Sequence, residues 1–195
     1  MTVQDIIRDA SHSVVNQLAV KANEEAMISY VNQALQAVYE EFQLKTGEQI
    51  IVMQENVTIY SVASDCIVVL AAYDEDGNLL PLNDEKDPFS VMTPSYNEIQ
   101  VPNPVEGEVL SVIYLAEPPM VTTTADVLPV PRSMIQPMLM YIGFLAHSSI
   151  DGSVQTENNT HYMRYKAAVD KVRERGLVPT DDTNMDLKFD RKGFV

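Results

Sequence analysis

The hydrophobic positions of this chain change period twice along its 195 residues, and the changes divide it into helical, β and helical stretches. Val3, Ile6, Ile7, Ala10, Val14 and Leu18 recur at helical steps and share one face of an expected first helix. Thr2 stands before them as an N-cap, and Asp5 lies in the first turn, where a carboxylate complements the helix dipole. A second helix starts after Asn23 with Glu24 and Glu25. Its apolar face, Ile28, Val31, Leu35, Val38 and Phe42, is spaced +3, +4, +3, +4 and makes it the clearest element of the chain. Gly47 is the expected stop.

From residue 48 the period shortens to that of strands. Runs rich in β-branched residues at 49–53, 57–62, 66–73, 79–82, 99–101 and 109–115 are separated by turn residues, which predicts a small antiparallel β element. Asp76-Gly77 lies between two of these runs and marks a hairpin whose tip also includes Asp74, with a loop of two residues or longer. Pro88 and Pro94 bracket a segment expected to form a helical turn, and residues 102–107 make a tight connection. A stretch rich in Pro and Thr, 117–131, leads back to helix, with Pro131 suited to a first turn. Met134, Ile135, Met138, Leu139, Tyr141, Ile142, Leu145 and Ala146 are apolar nearly all round, so the third helix is expected to be central. Pro137 either lies in its first turn or kinks it. A fourth helix is expected from about 154 to 175, with Tyr162, Tyr165, Val169 and Val172 inward, cations toward its C-terminal end and Gly176 as its stop. The expected fold is thus α+β: an antiparallel bundle of about four helices from 1–47 and 128–176, with a β insert at 48–127.

Residues 177–195 keep neither helical period nor a strand partner. Met185, Leu187 and Phe189 alternate with Asp186 and Lys188, and Phe194 lies close behind. A segment that cannot bury such side chains alone either stays disordered or adds to a neighbour's sheet edge or groove. Met185, Leu187, Phe189 and Phe194 are therefore the candidate partner-docking residues.

Composition adds limits. Hydrophobic residues at 46% and charged residues at 21% are a globular balance. No apolar run approaches the roughly 18 residues of a membrane span, and no basic-then-apolar leader opens the chain, so cytosolic synthesis without a membrane partner is expected. Charge is uneven: residues 1–131 hold 4 Lys/Arg against 20 Asp/Glu, whereas 132–195 hold 9 against 8. So acidic a body repels a phosphate backbone, which disfavours ordinary nucleic-acid binding and suits a surface past which DNA slides. Solubility alone would also account for the acidity.

Candidate chemistry is sparse. Cys66 is single and precedes an apolar run, as a buried thiol does. His12, His147 and His161 fall on three different expected helices, without carboxylate or cysteine at ligand spacing. Asp74, Asp76, Asn78 and Glu85 match a calcium loop in part, but its sixth position, where glycine makes the sharp turn, is Leu79. No enzyme, cofactor or metal site is expected.

One resemblance spans about residues 1–176. The opening Thr-Val-Gln-Asp-Ile-Ile-Arg-Asp-Ala, the helix carrying Ile28-Ser-Tyr-Val-Asn-Gln-Ala-Leu35, the β run ending Val112-Ile-Tyr-Leu-Ala-Glu-Pro-Pro119, the Leu128-Pro-Val-Pro-Arg-Ser-Met segment and the closing Tyr162-Met-Arg-Tyr-Lys-Ala-Ala stand in an order that resembles the head-to-tail adaptor (connector) proteins of tailed bacteriophages. Glu24 to Met27 stand where relatives often begin the second helix with tryptophan. The resemblance implies a structural virion protein at the head-tail junction, assembled in the host cytoplasm. It implies a homo-oligomeric ring, commonly dodecameric, around the DNA channel. It also implies that a C-terminal extension binds the portal protein while the insert hairpin (Asp74, Asp76, Gly77) faces the channel or a downstream tail or nozzle protein. The alternatives are another neck or tail-completion protein, or an acidic protein-binding module or DNA mimic.

Overall fold

A computed structural model describes residues 1–151 and 160–176. The chain divides into two compact units: Met1–Phe42 with the described residues from Pro119 onward, and Gln43–Pro118. Helices build the first and antiparallel strands the second, so the fold is α+β.

In the first unit, α1 (Val3–His12) begins with a capping box. The Thr2 hydroxyl accepts from the Asp5 N–H, and the Asp5 carboxylate accepts from the Thr2 N–H at 3.0 Å. The two residues satisfy each other's end groups, an arrangement that stabilises a helix start by about 1 kcal/mol. The helix ends at His12, short of the Val14 and Leu18 expected on its face. The Ser13 hydroxyl donates back to the Asp9 carbonyl at 2.6 Å, and Val15, rather than Val14, becomes the fully buried residue beyond it. A serine that bonds the preceding turn competes with continued helix.

A 3₁₀ turn at Ala19–Ala22 leads to α2 (Glu24–Phe42), whose start is capped by the Asn23 side chain accepting from Ala26 N–H at 3.1 Å. Met27, Val31, Ala34, Leu35, Val38, Tyr39 and Phe42 are buried, while Ile28 is half-buried. The helix stops at Phe42 because Gln43 turns left-handed at φ +47°, not at Gly47.

After 119–131 the chain re-enters helix through a 3₁₀ turn at Arg132–Met134 and α3 (Ile135–Asp151). Pro137 lies in the first turn of α3, so its missing N–H costs no helical bond. Met138, Leu139, Ile142 and Ala146 are buried, and α3 packs against α1, α2 and α4 (Thr160–Glu174). Gly143 permits a close approach to Val14: a Cβ there would lie 2.9 Å from Val14 Cβ. On α4, Tyr165, Val169 and Val172 are buried as expected, Tyr162 is half-buried against the Phe144 ring, and Gly176 takes φ +59° after the last turn.

The second unit holds β1 (Thr46–Val52), β2 (Ile59–Ser61), β3 (Cys66–Tyr73), β4 (Leu79–Leu80), β5 (Met92–Ser95), β6 (Glu98–Gln100) and β7 (Val109–Ala116). They form one sheet ordered β1-β7-β3-β4 and another ordered β2-β6-β5. Gly47 lies inside β1, directly opposite Tyr114 of β7. The tyrosine ring occupies the space a side chain would need: a Cβ would stand 2.3 Å from Tyr114 Cζ. Two register shifts in the β3–β7 ladder explain why 66–73 is apolar almost throughout. The irregular pairing turns Cys66, Val69, Ala71 and Ala72 all into buried positions, which strict alternation would not allow. The segment bracketed by Pro88 and Pro94 holds a single hydrogen-bonded turn, Ser90 N–H donating to the Asp87 carbonyl at 3.1 Å, and no helix. Met92–Ser95 is instead a strand paired with β6, and the Asn83 amide holds Thr93 at its start through two contacts of 2.9 Å. Ile51, Met53, Val62, Cys66, Val69, Ala72, Val91, Ile99, Val101, Leu110, Val112, Tyr114 and Ala116 form the core of this unit.

Candidate functional site

The predicted hairpin tip is the five-residue loop joining β3 to β4, from Asp74 to Asn78. One Asp74 carboxylate oxygen accepts from the N–H groups of Asp76 and Asn78 at 3.0 and 2.8 Å, and the other accepts from the Asn78 side-chain amide at 2.9 Å. Those hydrogen bonds, the Asn78 side chain's foremost, hold its carboxyl below the usual carboxylate range. Gly77 supplies the left-handed residue at φ +79°. Asp74 is thus the scaffold of the loop, while Glu75 and Asp76 are its exposed charges.

Beside this loop lies a groove of about 250 Å³ within the second unit. Buried Met53, Val91, Val101 and Leu110 and half-buried Leu80 supply its apolar floor. Asp74, Glu75, Asp76 and Glu108 are its charged lining residues, and among the described residues no Lys or Arg lines it. Phe89 flanks the groove with 71% of its surface exposed, although its loop is internally well fastened. The Asp87 carboxylate accepts from Phe89 N–H at 2.9 Å, and buried Ser90 donates to the Pro81 carbonyl while accepting from Asp84 N–H. Sequence patterning marked Asp74, Asp76 and Gly77 but missed Phe89 and Glu108. An aromatic in a turn-rich Asp-Pro-Phe-Ser segment is a detectable sign of the former. Nothing local distinguishes Glu108.

The other chemically distinctive side chains make packing, hydrogen-bond and ion-pair contacts. The Cys66 thiol is buried, donates to the Tyr96 carbonyl at 3.2 Å, and is pushed up by burial and by the neighbouring Asp65 charge, the opposite of an activated nucleophile. His147 and His161, assigned to separate helices, stack with ring centroids 4.0 Å apart, and His147 Nε2 lies 3.1 Å from the Val14 carbonyl. Burial first, then the nearby His147 and Arg164, holds His161 below the usual histidine value. On α4, Arg173 pairs with Glu41 of α2 and lies over the Phe42 ring. Asp65 of the second unit is held below the carboxylate range chiefly by the Lys45 ammonium at 2.9 Å. Among the described residues, no group of three or more His, Cys, Asp or Glu is placed to hold a metal ion, and no helix is long and apolar enough to cross a membrane.

Met185, Leu187, Phe189 and Phe194 lie outside the described residues.

No curated protein matches the chain. The family model of the SU10 adaptor protein matches residues 1–185, nearly the whole sequence and both structural units. With that coverage, the chain belongs to the SU10 adaptor protein family, a phage adaptor and structural virion component.

Proposed function

We propose that this adaptor is the head-to-tail connector of a tailed phage. It assembles as a ring, commonly of twelve copies, and docks beneath the portal protein, so that DNA leaves the head through its lumen. The observation that carries the reading is the family match across residues 1–185. In this reading the four helices form an antiparallel bundle that packs against its neighbours through a heterologous interface repeated around an axis. The C-terminal segment clasps the portal through Met185, Leu187, Phe189 and Phe194, and the hairpin of the second unit meets the channel or a downstream tail or nozzle protein. Avidity around a ring multiplies a modest affinity per copy.

Charge supports the role of the second unit. Residues 43–118 hold 2 Lys/Arg against 13 Asp/Glu, a net of -11. A wall of that sign lets DNA pass without adhering. A non-catalytic role is supported by the duties of the candidate reactive groups: Cys66 is buried with a raised thiol, Asp74 holds a turn, and His147 packs on His161 beside a backbone carbonyl.

Mass measurement of the chain mixed with its portal tests the reading directly. A stoichiometric ring bound to portal is expected, and removal of residues 177–195 is expected to abolish binding while leaving far-UV circular dichroism of the body unchanged. Full-affinity portal binding by the truncated chain overturns the clasp, and a chain that stays monomeric with portal overturns the connector.

A further inference from the structure

We propose that the acidic groove beside the β3–β4 loop receives the basic, aromatic C-terminal segment of a second copy, residues 187–194. Two complementary surfaces on the same chain support the pairing. The groove offers an apolar floor of Met53, Leu80, Val91, Val101 and Leu110, with Glu75, Asp76 and Glu108 around it and no cation among the described residues that line it. The segment carries Lys188, Arg191 and Lys192 against a single acid, Asp190, and sets Phe189 and Phe194 among those cations.

An apolar floor alone would accept any hydrophobic chain, and an acidic rim alone any cation. Together they select a segment that presents an aromatic side chain flanked by basic ones. Phe89 adds an exposed ring at the groove against which an arginine side chain can stack. Asp74 contributes little directly, because its oxygens already accept three hydrogen bonds within the loop. Recognition falls to Glu75, Asp76 and Glu108.

The contact goes beyond the connector reading and gives its clasp a second acceptor. A segment held by another copy is withheld from a portal until the portal outcompetes the groove, which orders assembly. Because the groove is tested without portal, failure of this pairing and failure of portal docking are separate results.

The experiment uses the full chain carrying Lys188→Glu, Arg191→Glu and Lys192→Glu, so that its own segment does not compete. A fluorescent peptide of residues 187–195 is titrated with this chain and followed by anisotropy. Saturable binding is expected. It should weaken by about tenfold or more when both phenylalanines of the peptide are replaced by serine. Glu75→Lys, Asp76→Lys and Glu108→Lys, placed in the chain with its natural segment, which the reversed groove repels, should abolish binding of the natural peptide and create binding of a peptide with the three cations reversed to glutamate. That gain shows that the altered groove is folded. The proposal is overturned if the natural peptide does not bind, if the serine peptide binds equally well, or if groove reversal leaves the peptide preference unchanged.

Discussion

Asn32 holds the return from the β unit onto α2, and its removal has a calculable consequence. Its side-chain amide donates to the Val121 carbonyl at 2.9 Å while its carbonyl accepts from the Val121 N–H at 2.9 Å. Val121 is 4% exposed, so water reaches its backbone poorly. Asn32→Ala removes two hydrogen bonds worth about 1 kcal/mol each and leaves a buried N–H without its partner, a further cost of about 1–2 kcal/mol. A loss of about 3–4 kcal/mol is expected. The first unit should still fold, because the same return segment is pinned elsewhere: Tyr39 donates to the Pro129 carbonyl at 2.6 Å, and Val3 and Gln4 donate to Asp126 and Thr124.

Urea denaturation gives the magnitude, with the loss confined to the transition of the helical unit if the two units unfold separately. Amide exchange at Val121 gives the location, since its protection should fall well before that of α3. Asn32→Asp adds a finer test. Above about pH 4 the introduced carboxylate still accepts from the N–H but donates nothing to the carbonyl; below it, the protonated acid regains a donor. Its deficit relative to the parent should therefore shrink on acidification, whereas that of Asn32→Ala should not. A loss under about 0.5 kcal/mol for Asn32→Ala, with Val121 exchange unchanged, would refute the reasoning.

Three further outcomes follow from the second unit. Gly47→Ala should displace the Tyr114 ring, break its 3.2 Å hydrogen bond to Asp65 and cost about 1–3 kcal/mol; an unchanged Tyr114 environment by NMR would contradict this. Asp74 has a folded-state pKa below its ordinary 3.8, so its contribution is fully present above that value and is lost as pH falls through the folded value. Thermal midpoints should drop in that acid range, and the drop should be smaller in Asp74→Asn; equal slopes would argue against the loop as its origin. Cys66 should react with a thiol reagent orders of magnitude more slowly in the native chain than in urea, and equal rates would show that its burial is not maintained.

The helical elements were legible because each depends on local signals. Thr2 and Asp5 specify a start within four residues, and the +3, +4 face of α2 is repeated long enough to exceed any accidental pattern. The early stop of α1 at Ser13 is local, though the apolar period does not mark it, and elsewhere a distant partner decides the outcome. Gly47 looks like a helix stop only until Tyr114, far away in sequence, places its ring over it. Residues 92–95 have little strand character of their own and pair because Asn83 and β6 position them. The hairpin tip was readable from Asp-Gly, but the groove beside it joins five separated stretches of chain, and no local period encodes that convergence. The stacked histidines likewise required the packing of α3 on α4.

Charge and exposed hydrophobic surface in the second unit are best understood together. Among the described residues β1 lies at an edge of its sheet, and it shows Ile50 and Val52 at 66% and 59% exposure, with Leu79, Phe89 and Tyr96 also exposed. Such an edge invites indiscriminate strand pairing. The unit's net charge of -11 opposes that outcome, because identical units repel before their apolar faces meet. The repulsion is selective: it leaves attraction intact for a segment whose cations stand beside its apolar residues. On the proposed reading, acidity discourages nucleic acid and stray self-association by one mechanism, and it reserves the apolar surface for partners that bring positive charge with them.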